Sequence, residues 1–123
     1  MNKSKLLVSF CALACALAMA ACHKKAAPSL ADLSPEQLVE RGKSIYTGNC
    51  ISCHNIDPRK DGSVGPMVAG ASLLLLEARM IQGTYPPGYK PLRETHVMPV
   101  LPHLKAEIPA LAAYLAEASK AAP

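Results

Sequence analysis

The stretch Cys50-Ile51-Ser52-Cys53-His54 carries the strongest chemical signal in this chain of 123 residues. Two cysteines three residues apart lie on one side of a helical turn, so both thiols point in the same direction. The histidine that follows them directly adds an imidazole. The pattern therefore indicates a site where two sulfurs and one nitrogen act together on one bound group.

Three kinds of site use two cysteines at this spacing. A C-x-x-C-H pattern is the attachment signature of c-type haem, in which both thiols bond to the vinyl groups of one porphyrin. A thioredoxin-like redox pair would need a βαβ context, and no stretch of the chain predicts a strand. A zinc site would combine both cysteines with two of the histidines His54, His96 and His103. Because His96 and His103 do not stand at zinc-finger spacing, we expect one haem c attached through Cys50 and Cys53.

The N-terminal segment has the layout of a secretory signal, which agrees with haem attachment outside the cytoplasm. Two lysines precede the uncharged run 6–21, which is shorter than a typical membrane span. Met19-Ala20-Ala21-Cys22 resembles a bacterial lipoprotein box, which implies that a signal peptide of residues 1–21 is removed and that Cys22 carries a lipid. His23 stands where Asp would signal inner-membrane retention, which favours the outer membrane. A soluble periplasmic protein and an uncleaved anchor stay open as alternatives.

The distribution of charge argues against nucleic acid as a partner. The formal net charge is +4, but the four lysines that account for it all lie before residue 30. From residue 30 onward nine Lys and Arg balance nine Asp and Glu. A neutral domain without a basic stripe is a poor candidate for binding a phosphate backbone.

Alanine and leucine supply most of the apolar residues, which favours helices over strands. Helices are predicted over 35–48, 71–82 and 106–118. The predicted organisation is a signal peptide at 1–21, a flexible tether at 22–33 and one domain at 34–120. Aromatic residues make up only 4% of the chain, so a bound group is expected to supply buried apolar mass. The leucine run 73–76 is expected to form part of the pocket wall and core.

Four further stretches resemble class I cytochromes c of the small, monohaem bacterial kind. They are Gly42-Lys43-Ser44-Ile45-Tyr46, Gly65-Pro66-Met67-Val68-Ala69-Gly70, His96-Val97-Met98-Pro99 and Ile108–Leu115. The resemblance spans about residues 34–118. It implies an all-α fold in which three main helices and their loops wrap around one covalently attached haem. It also implies that the N- and C-terminal helices cross, with Gly42 and Tyr46 meeting Tyr114.

The same resemblance assigns roles on the proximal side of the haem. It makes His54 the proximal iron ligand and the carbonyl of Pro66 the acceptor that orients the imidazole ring. Proline suits this task because its fixed φ aims the carbonyl rigidly. Tyr85, Tyr89 and Arg93 precede the distal segment, where loop residues of the family can hydrogen-bond the haem propionates. A solvated loop is the alternative for these three residues.

On the distal side, the resemblance makes Met98 the second iron ligand. Met67 follows the proline that faces the histidine side, and Met80 lies among leucines and is expected to fill the core. Met98 lies in an extended segment before a proline, from which it can reach the opposite face. His96, His103 and an open distal site remain the alternatives.

The resemblance therefore implies an electron carrier that is not an enzyme and has no catalytic residues. Its expected partners are redox proteins, and a lipid on Cys22 would tether it to a membrane in the periplasm. Two alternatives remain. The chain could be a haem c subunit of a dehydrogenase or terminal oxidase complex, or a ligand-binding haem sensor.

Overall fold

The computed structural model describes residues 28–93 and 97–120. The elements in chain order are a 3-10 turn at Leu30–Asp32, helix α1 at Pro35–Asn49, helix α2 at Leu73–Glu77, a π-helical segment at Ala78–Gln82, a 3-10 segment at Pro102–Glu107 and helix α3 at Ile108–Lys120. The described ranges contain no strand, and the predicted all-α fold is confirmed. Within the same ranges, no helix is long and apolar enough to cross a membrane.

The N-terminal part of the predicted organisation is described only in part. The signal peptide predicted at 1–21 and the lipidation site predicted at Cys22 lie outside the described residues. The described end of the predicted tether, 28–33, contains the 3-10 turn Leu30–Asp32. In this turn Ser29 Oγ donates to Asp32 Oδ2 at 2.6 Å.

Helix α1 begins with a capping box and ends at the first cysteine of the motif. Ser34 Oγ accepts the Gln37 N–H at 3.3 Å, and the Gln37 side chain accepts the Ser34 N–H at 2.9 Å. Pro35 occupies the first helical position, where its missing N–H loses no bond. At the other end the Cys50 N–H donates to the Tyr46 carbonyl at 2.9 Å. The helix runs one residue beyond its predicted end, so the motif starts on its last turn.

The second predicted helix, 71–82, is present in a less regular form. Ser72 caps α2 by accepting the Leu75 N–H at 3.2 Å. After five residues the helix widens into the π-helical segment, which ends at Gly83 with φ of +69°. Glycine adopts this left-handed conformation without the steric penalty of a side chain, so the predicted stop at Gly83 is confirmed.

The leucine run 73–76 divides between the interior and the surface. Leu75 and Leu76 line the large cavity described below. Leu73 and Leu74 are 47% and 62% exposed, so the expectation that the whole run is buried is wrong for them. The reason is helical geometry. Four consecutive residues point around most of the circumference of a helix, and only one face of this helix is buried.

Helix α3 starts two residues later than predicted. The 3-10 segment Pro102–Glu107 precedes it, and Leu104 in that segment is buried. Pro109 is the second residue of α3, where the absent N–H removes no helical hydrogen bond.

Helices α1 and α3 cross at a point where their backbones approach closely. A Cβ atom on Gly42 would clash with the Ala110 carbonyl and with Tyr114 Cβ, so only glycine fits there without a shift. The rings of Tyr46 and Tyr114 lie 5.5 Å apart between centroids and are tilted by 49°. The predicted crossing of the terminal helices is therefore present.

A small core and one ion pair hold the helices together. The buried side chains of the core are Tyr46, Leu76, Met80, Leu104, Ile108, Leu111 and Leu115. Arg41 donates to both carboxylate oxygens of Glu107, at 2.7 and 2.5 Å, which ties α1 to the segment before α3. This hydrogen bonding holds the pKa of Glu107 below its ordinary value, against a weaker opposing effect of burial.

Candidate cofactor site

The two cysteines and the histidine of the motif lie on a tight turn that continues α1. The Cys53 and His54 N–H groups both donate to the Cys50 carbonyl, at 3.2 and 2.9 Å. Cys50 and Cys53 are free, half-buried thiols, and all three side chains line one large cavity. The structure therefore brings the three chemically active residues of the motif to a single site.

The loop 55–70, called the proximal loop from here on, folds back onto this turn. The Val64 and Gly65 N–H groups donate to the Cys53 carbonyl at 3.2 and 3.0 Å. A Cβ atom on Gly65 would strike the imidazole of His54, and one on Gly62 would strike the backbone of the motif. These two glycines allow the loop to lie directly against the motif.

The imidazole of His54 is oriented by a carbonyl of the proximal loop. His54 Nδ1 lies 2.8 Å from the Pro66 oxygen. Because a carbonyl can only accept, Nδ1 must carry the proton in this contact. In the neutral ring the lone pair of Nε2 is then left available for a metal. This is the contact that the sequence predicted between the two residues.

Met98 lies in the wall of the same cavity. It belongs to the stretch 84–101, called the distal loop from here on, of which residues 84–93 and 97–101 are described. Its side chain is half-buried and packs against the core, as Leu101 does. The Leu101 N–H donates to the Met80 carbonyl at 2.6 Å and fixes the end of this loop on the π-helical segment.

The other candidates for the distal position are placed differently. His103 is exposed on the 3-10 segment and is not part of the cavity wall, and His96 lies outside the described residues. Met80 is 2% exposed in the core, as predicted, although part of it reaches the cavity wall. Met67 also reaches the wall but is 47% exposed.

The cavity has a volume of about 410 Å³ and a mainly apolar wall. Its size lies within the range of sites for small molecules and cofactors, about 300–1,000 Å³. Apolar side chains that contribute to the wall include Leu75, Leu76, Leu92, Val97, Leu111 and Leu115. The wall therefore suits a large flat apolar group that is bonded to the two thiols.

Arg79 is a cation in this wall that the sequence analysis missed. It is only 8% exposed and has no carboxylate partner among the described residues. Its Nη1 donates to the Gly83 carbonyl at 2.9 Å, and its guanidinium lies 4.4 Å from the centroid of the Tyr85 ring. Tyr85 in turn stacks on Tyr89, with centroids 5.4 Å apart. The signal for Arg79 was its position three residues after Leu76, on the face of the helix that is buried.

Arg93 also lies in the wall and connects the distal loop to the proximal loop. Its Nη1 donates to the Val64 carbonyl at 3.1 Å and to the Gly62 carbonyl at 3.4 Å. Its Nη2 lies 3.2 Å from Asp61 Oδ2. Asp61 Oδ1 accepts the Met67 N–H at 2.8 Å. The pKa of Asp61 is lowered, first by this backbone hydrogen bond and then by Arg93.

The family model for cytochrome c matches residues 39–119, which is about two thirds of the chain. This chain belongs to the cytochrome c family. The cytochrome c is therefore an electron-transfer haem protein, and its haem c is attached covalently through Cys50 and Cys53. A search of the curated proteins and a search of the solved structures found no match to the chain.

The structure does not support the two other uses of the cysteine pair, namely a zinc site and a thiol redox pair. Within 28–93 and 97–120, no three or more His, Cys, Asp and Glu side chains gather as they would around a zinc ion. Burial, with a smaller effect of Cys53, raises the pKa of the Cys50 thiol to about 11. Redox-active thiol pairs need a lowered pKa, because the thiolate is the nucleophile. The haem fits the cavity and the two thiols, and the raised pKa of Cys50 gives no support to a redox role for that thiol.

Proposed function

We propose that this cytochrome c carries single electrons between redox partner proteins, with the haem iron bound by His54 and Met98. The observation that carries the proposal is the 2.8 Å contact between His54 Nδ1 and the Pro66 carbonyl, because it leaves Nε2 free for the metal. Met98 lines the same cavity from the distal loop, which supports it as the second ligand. When bound, a haem with these ligands supplies a reversible one-electron change of its iron.

The side chains of the site bind, orient and shield the haem. The Pro66 carbonyl raises the basicity of the His54 ring and holds its orientation. A thioether opposite the imidazole raises the reduction potential relative to a second imidazole. No carboxylate lines the described part of the cavity, so its wall offers no acid–base pair. The role that we propose is electron transfer without an enzymatic reaction.

Arg79 is proposed to neutralise a propionate of the haem. It is buried and uses one of its five N–H donors in a hydrogen bond to the protein. A buried cation of this kind is costly unless it is paired, and the haem brings carboxylates to the cavity. The cation–π contact with Tyr85 holds the guanidinium in place, and Tyr85 is itself held by Tyr89.

Redox partners are proposed to dock on an apolar rim around the cavity. The rim consists of five large side chains that both line the cavity and are exposed, namely Val64, Met67, Tyr89, Leu92 and Val97. The balance of charge from residue 30 onward predicts weak electrostatic steering. The rate of electron exchange with a partner should therefore change little with added salt, and a steep fall would contradict this mode of docking.

The cytochrome c is proposed to act in the periplasm, tethered to a membrane through a lipid on Cys22. The support is the sequence of residues 1–22, which combines a secretory signal with a lipoprotein-like cleavage site. Mass spectrometry of the mature N-terminus tests this directly. A diacylated Cys22, and release of Cys22→Ser into the soluble fraction, are the expected results. An unmodified N-terminus would instead favour the soluble periplasmic form.

The optical spectra of the haem-loaded protein test the proposed ligands. We expect a low-spin reduced spectrum and, in the oxidised protein, a sulfur-to-iron charge-transfer band. Met98→Ala should abolish this band. Met67→Ala is the matched control, because Met67 also reaches the cavity wall yet follows the carbonyl that faces His54. A band that survives in Met98→Ala but disappears in Met67→Ala would overturn the assignment.

The same samples distinguish the remaining functions. Binding of carbon monoxide to the reduced wild-type protein would indicate an open or easily displaced distal position and would favour a haem sensor. Isolation of the protein only as part of a larger complex would favour a subunit of a dehydrogenase or terminal oxidase. Absence of covalent haem from the purified protein would contradict the whole proposal.

A further inference from the structure

We propose that Arg93 is a positioning residue that keeps the distal side of the haem closed to outside ligands. Its contacts with Asp61, Gly62 and Val64, called the Arg93 clamp from here on, hold Arg93, five residues before Met98, against the proximal loop. The proposal rests on the proposed function, because it takes Met98 as the distal ligand.

The first argument is the way in which the distal loop is anchored. Among its described residues between 90 and 100, Arg93 alone makes hydrogen bonds to another segment. The next anchor along the chain is the Leu101 N–H, which donates to the Met80 carbonyl at 2.6 Å. Met98 lies between these two anchors, five residues after Arg93. Among the described residues 90–93 and 97–101, loss of the clamp would therefore leave the Leu101 N–H as the remaining hydrogen bond to another segment.

The second argument is the nature of the surface that the clamp holds. Gly62 and Val64 belong to the part of the proximal loop that lies on the motif, where the Val64 N–H donates to the Cys53 carbonyl at 3.2 Å. Asp61 also accepts the N–H of Met67, the residue directly after Pro66. The clamp thus connects Arg93, on the N-terminal side of Met98, to the loop that orients His54. A single side chain couples the two sides of the haem.

The third argument is that the clamp stands where an outside ligand would enter. Arg93 and Val64 line the cavity, and Val64 is 39% exposed. A thioether is a weak iron ligand, so a small molecule competes with it whenever the segment moves away. The frequency of such openings depends on the local contacts rather than on the stability of the whole domain.

The contributions within the clamp are unequal. Among the described residues, no other donor bonds to the two carbonyl acceptors. The guanidinium donor is charged, so its hydrogen bonds to them contribute about tenfold in an equilibrium constant. The ion pair with Asp61 is largely solvent-accessible, because the Asp61 side chain is 55% exposed, and such pairs contribute little. The effect of removing Arg93 should therefore exceed the effect of removing the charge of Asp61.

The test is an imidazole titration of the oxidised, haem-loaded protein, followed through the sulfur-to-iron charge-transfer band. Arg93→Gln should lower the imidazole concentration for half-displacement about tenfold. Arg93→Lys should lower this imidazole concentration less than Arg93→Gln does, and Asp61→Asn should lower it about twofold. Arg41→Gln is the matched control. It removes an Arg–carboxylate pair far from the cavity and should leave the midpoint unchanged, although it lowers the stability of the whole protein.

Hydrogen exchange provides a second readout that does not depend on iron ligation. Amides of residues 90–101 should exchange faster in Arg93→Gln, whereas those of α1 should not. The proposal is overturned if Arg93→Gln shifts the imidazole midpoint less than twofold, or no more than Arg41→Gln does. A wild-type protein without the charge-transfer band would refute the ligation by Met98, and the exchange result would then still decide whether the clamp anchors the loop.

Discussion

The crossing of α1 and α3 and the two loops around the cavity are held together by different interactions. At the crossing, Gly42 allows the helices to touch, and Tyr46 packs against Tyr114. Around the cavity, single side chains reach backbone carbonyls, as His54 does at Pro66 and Arg93 does at Val64. Close packing tolerates no added volume, whereas isolated hydrogen bonds can be removed one at a time. A substitution at the crossing should therefore lower the stability of the whole domain. Loss of one hydrogen bond in the loops should instead change the access of ligands to the haem more than it lowers stability.

The largest effect is expected from Gly42→Ala at the crossing. The added methyl group would overlap the Ala110 carbonyl and Tyr114 Cβ, neither of which is the mobile end of a side chain. We expect a loss of about 3 kcal/mol or more in the free energy of unfolding, measured by denaturant titration of the haem-loaded protein. Gly48→Ala is the matched control in the same helix, because nothing lies within 4 Å of its Cβ position. It should stabilise the protein by up to about 1 kcal/mol. Equal effects of the two substitutions would contradict a close helix contact.

The difference between the two regions also explains which features the sequence could predict. Helix starts and stops depend on neighbouring residues, so the predicted start of the first helix at residue 35 and the predicted end of the second at residue 82 agree with the structure. The motif and the stretches around Gly42 and Pro66 have characteristic spacings, so their approximate placement could be predicted as well. The widening of the second helix at 78–82 had no local signal, because that segment packs against a distant part of the chain.

Contacts between distant residues account for most of what the sequence did not predict. The Arg93 clamp joins residues 29 to 32 positions apart, and no short pattern encodes such a pair. The position of Arg79 in the cavity wall depends on which face of its helical segment packs inward, and the sequence alone does not determine that face. Both residues line the cavity, where side chains are positioned to contact a bound group as well as other parts of the chain.

A second, smaller effect is expected from Gly65→Ala in the proximal loop. The new methyl group would strike the His54 ring, which must then tilt or leave its contact with Pro66. We expect a loss of about 1–3 kcal/mol in the free energy of unfolding, together with a changed haem spectrum. Ser63→Ala, at an exposed position two residues earlier in the loop, should change neither. If Gly65→Ala lowers stability and leaves the haem spectrum unchanged, the orientation of the His54 ring does not depend on its contact with Pro66.

Tyr46→Phe tests the hydrogen bond that connects the crossing to the loops. The buried Tyr46 hydroxyl donates to the Asn55 carbonyl, just after the motif, at 2.5 Å. Its burial raises the pKa of the phenol above its ordinary value, so the hydroxyl stays protonated. Loss of this hydrogen bond should lower the free energy of unfolding by about 1 kcal/mol. Tyr114→Phe keeps the ring packing and should have a smaller effect, because the Tyr114 hydroxyl makes no hydrogen bond to another described residue. Equal losses would indicate that the hydrogen bond from Tyr46 to Asn55 makes no contribution of its own.

The smallest effect is expected from the ion pair of Arg41 and Glu107, which ties α1 to the segment before α3. The side chains are 34% and 18% exposed, so solvent screens the pair, and Glu107→Gln should lower the free energy of unfolding by at most about 1 kcal/mol at pH 7. The pKa of Glu107 is lowered in the folded state, so its contribution is present above the ordinary value of 4.5. It is lost as the pH falls below that value through the folded pKa. Denaturant midpoints of wild type and Glu107→Gln should therefore differ at pH 7 and converge under acid. Glu117→Gln, which removes an exposed pair with Lys120, should show no difference at either pH. A difference between the denaturant midpoints of wild type and Glu107→Gln that persists in acid would mean that lost packing, rather than lost charge, causes the difference.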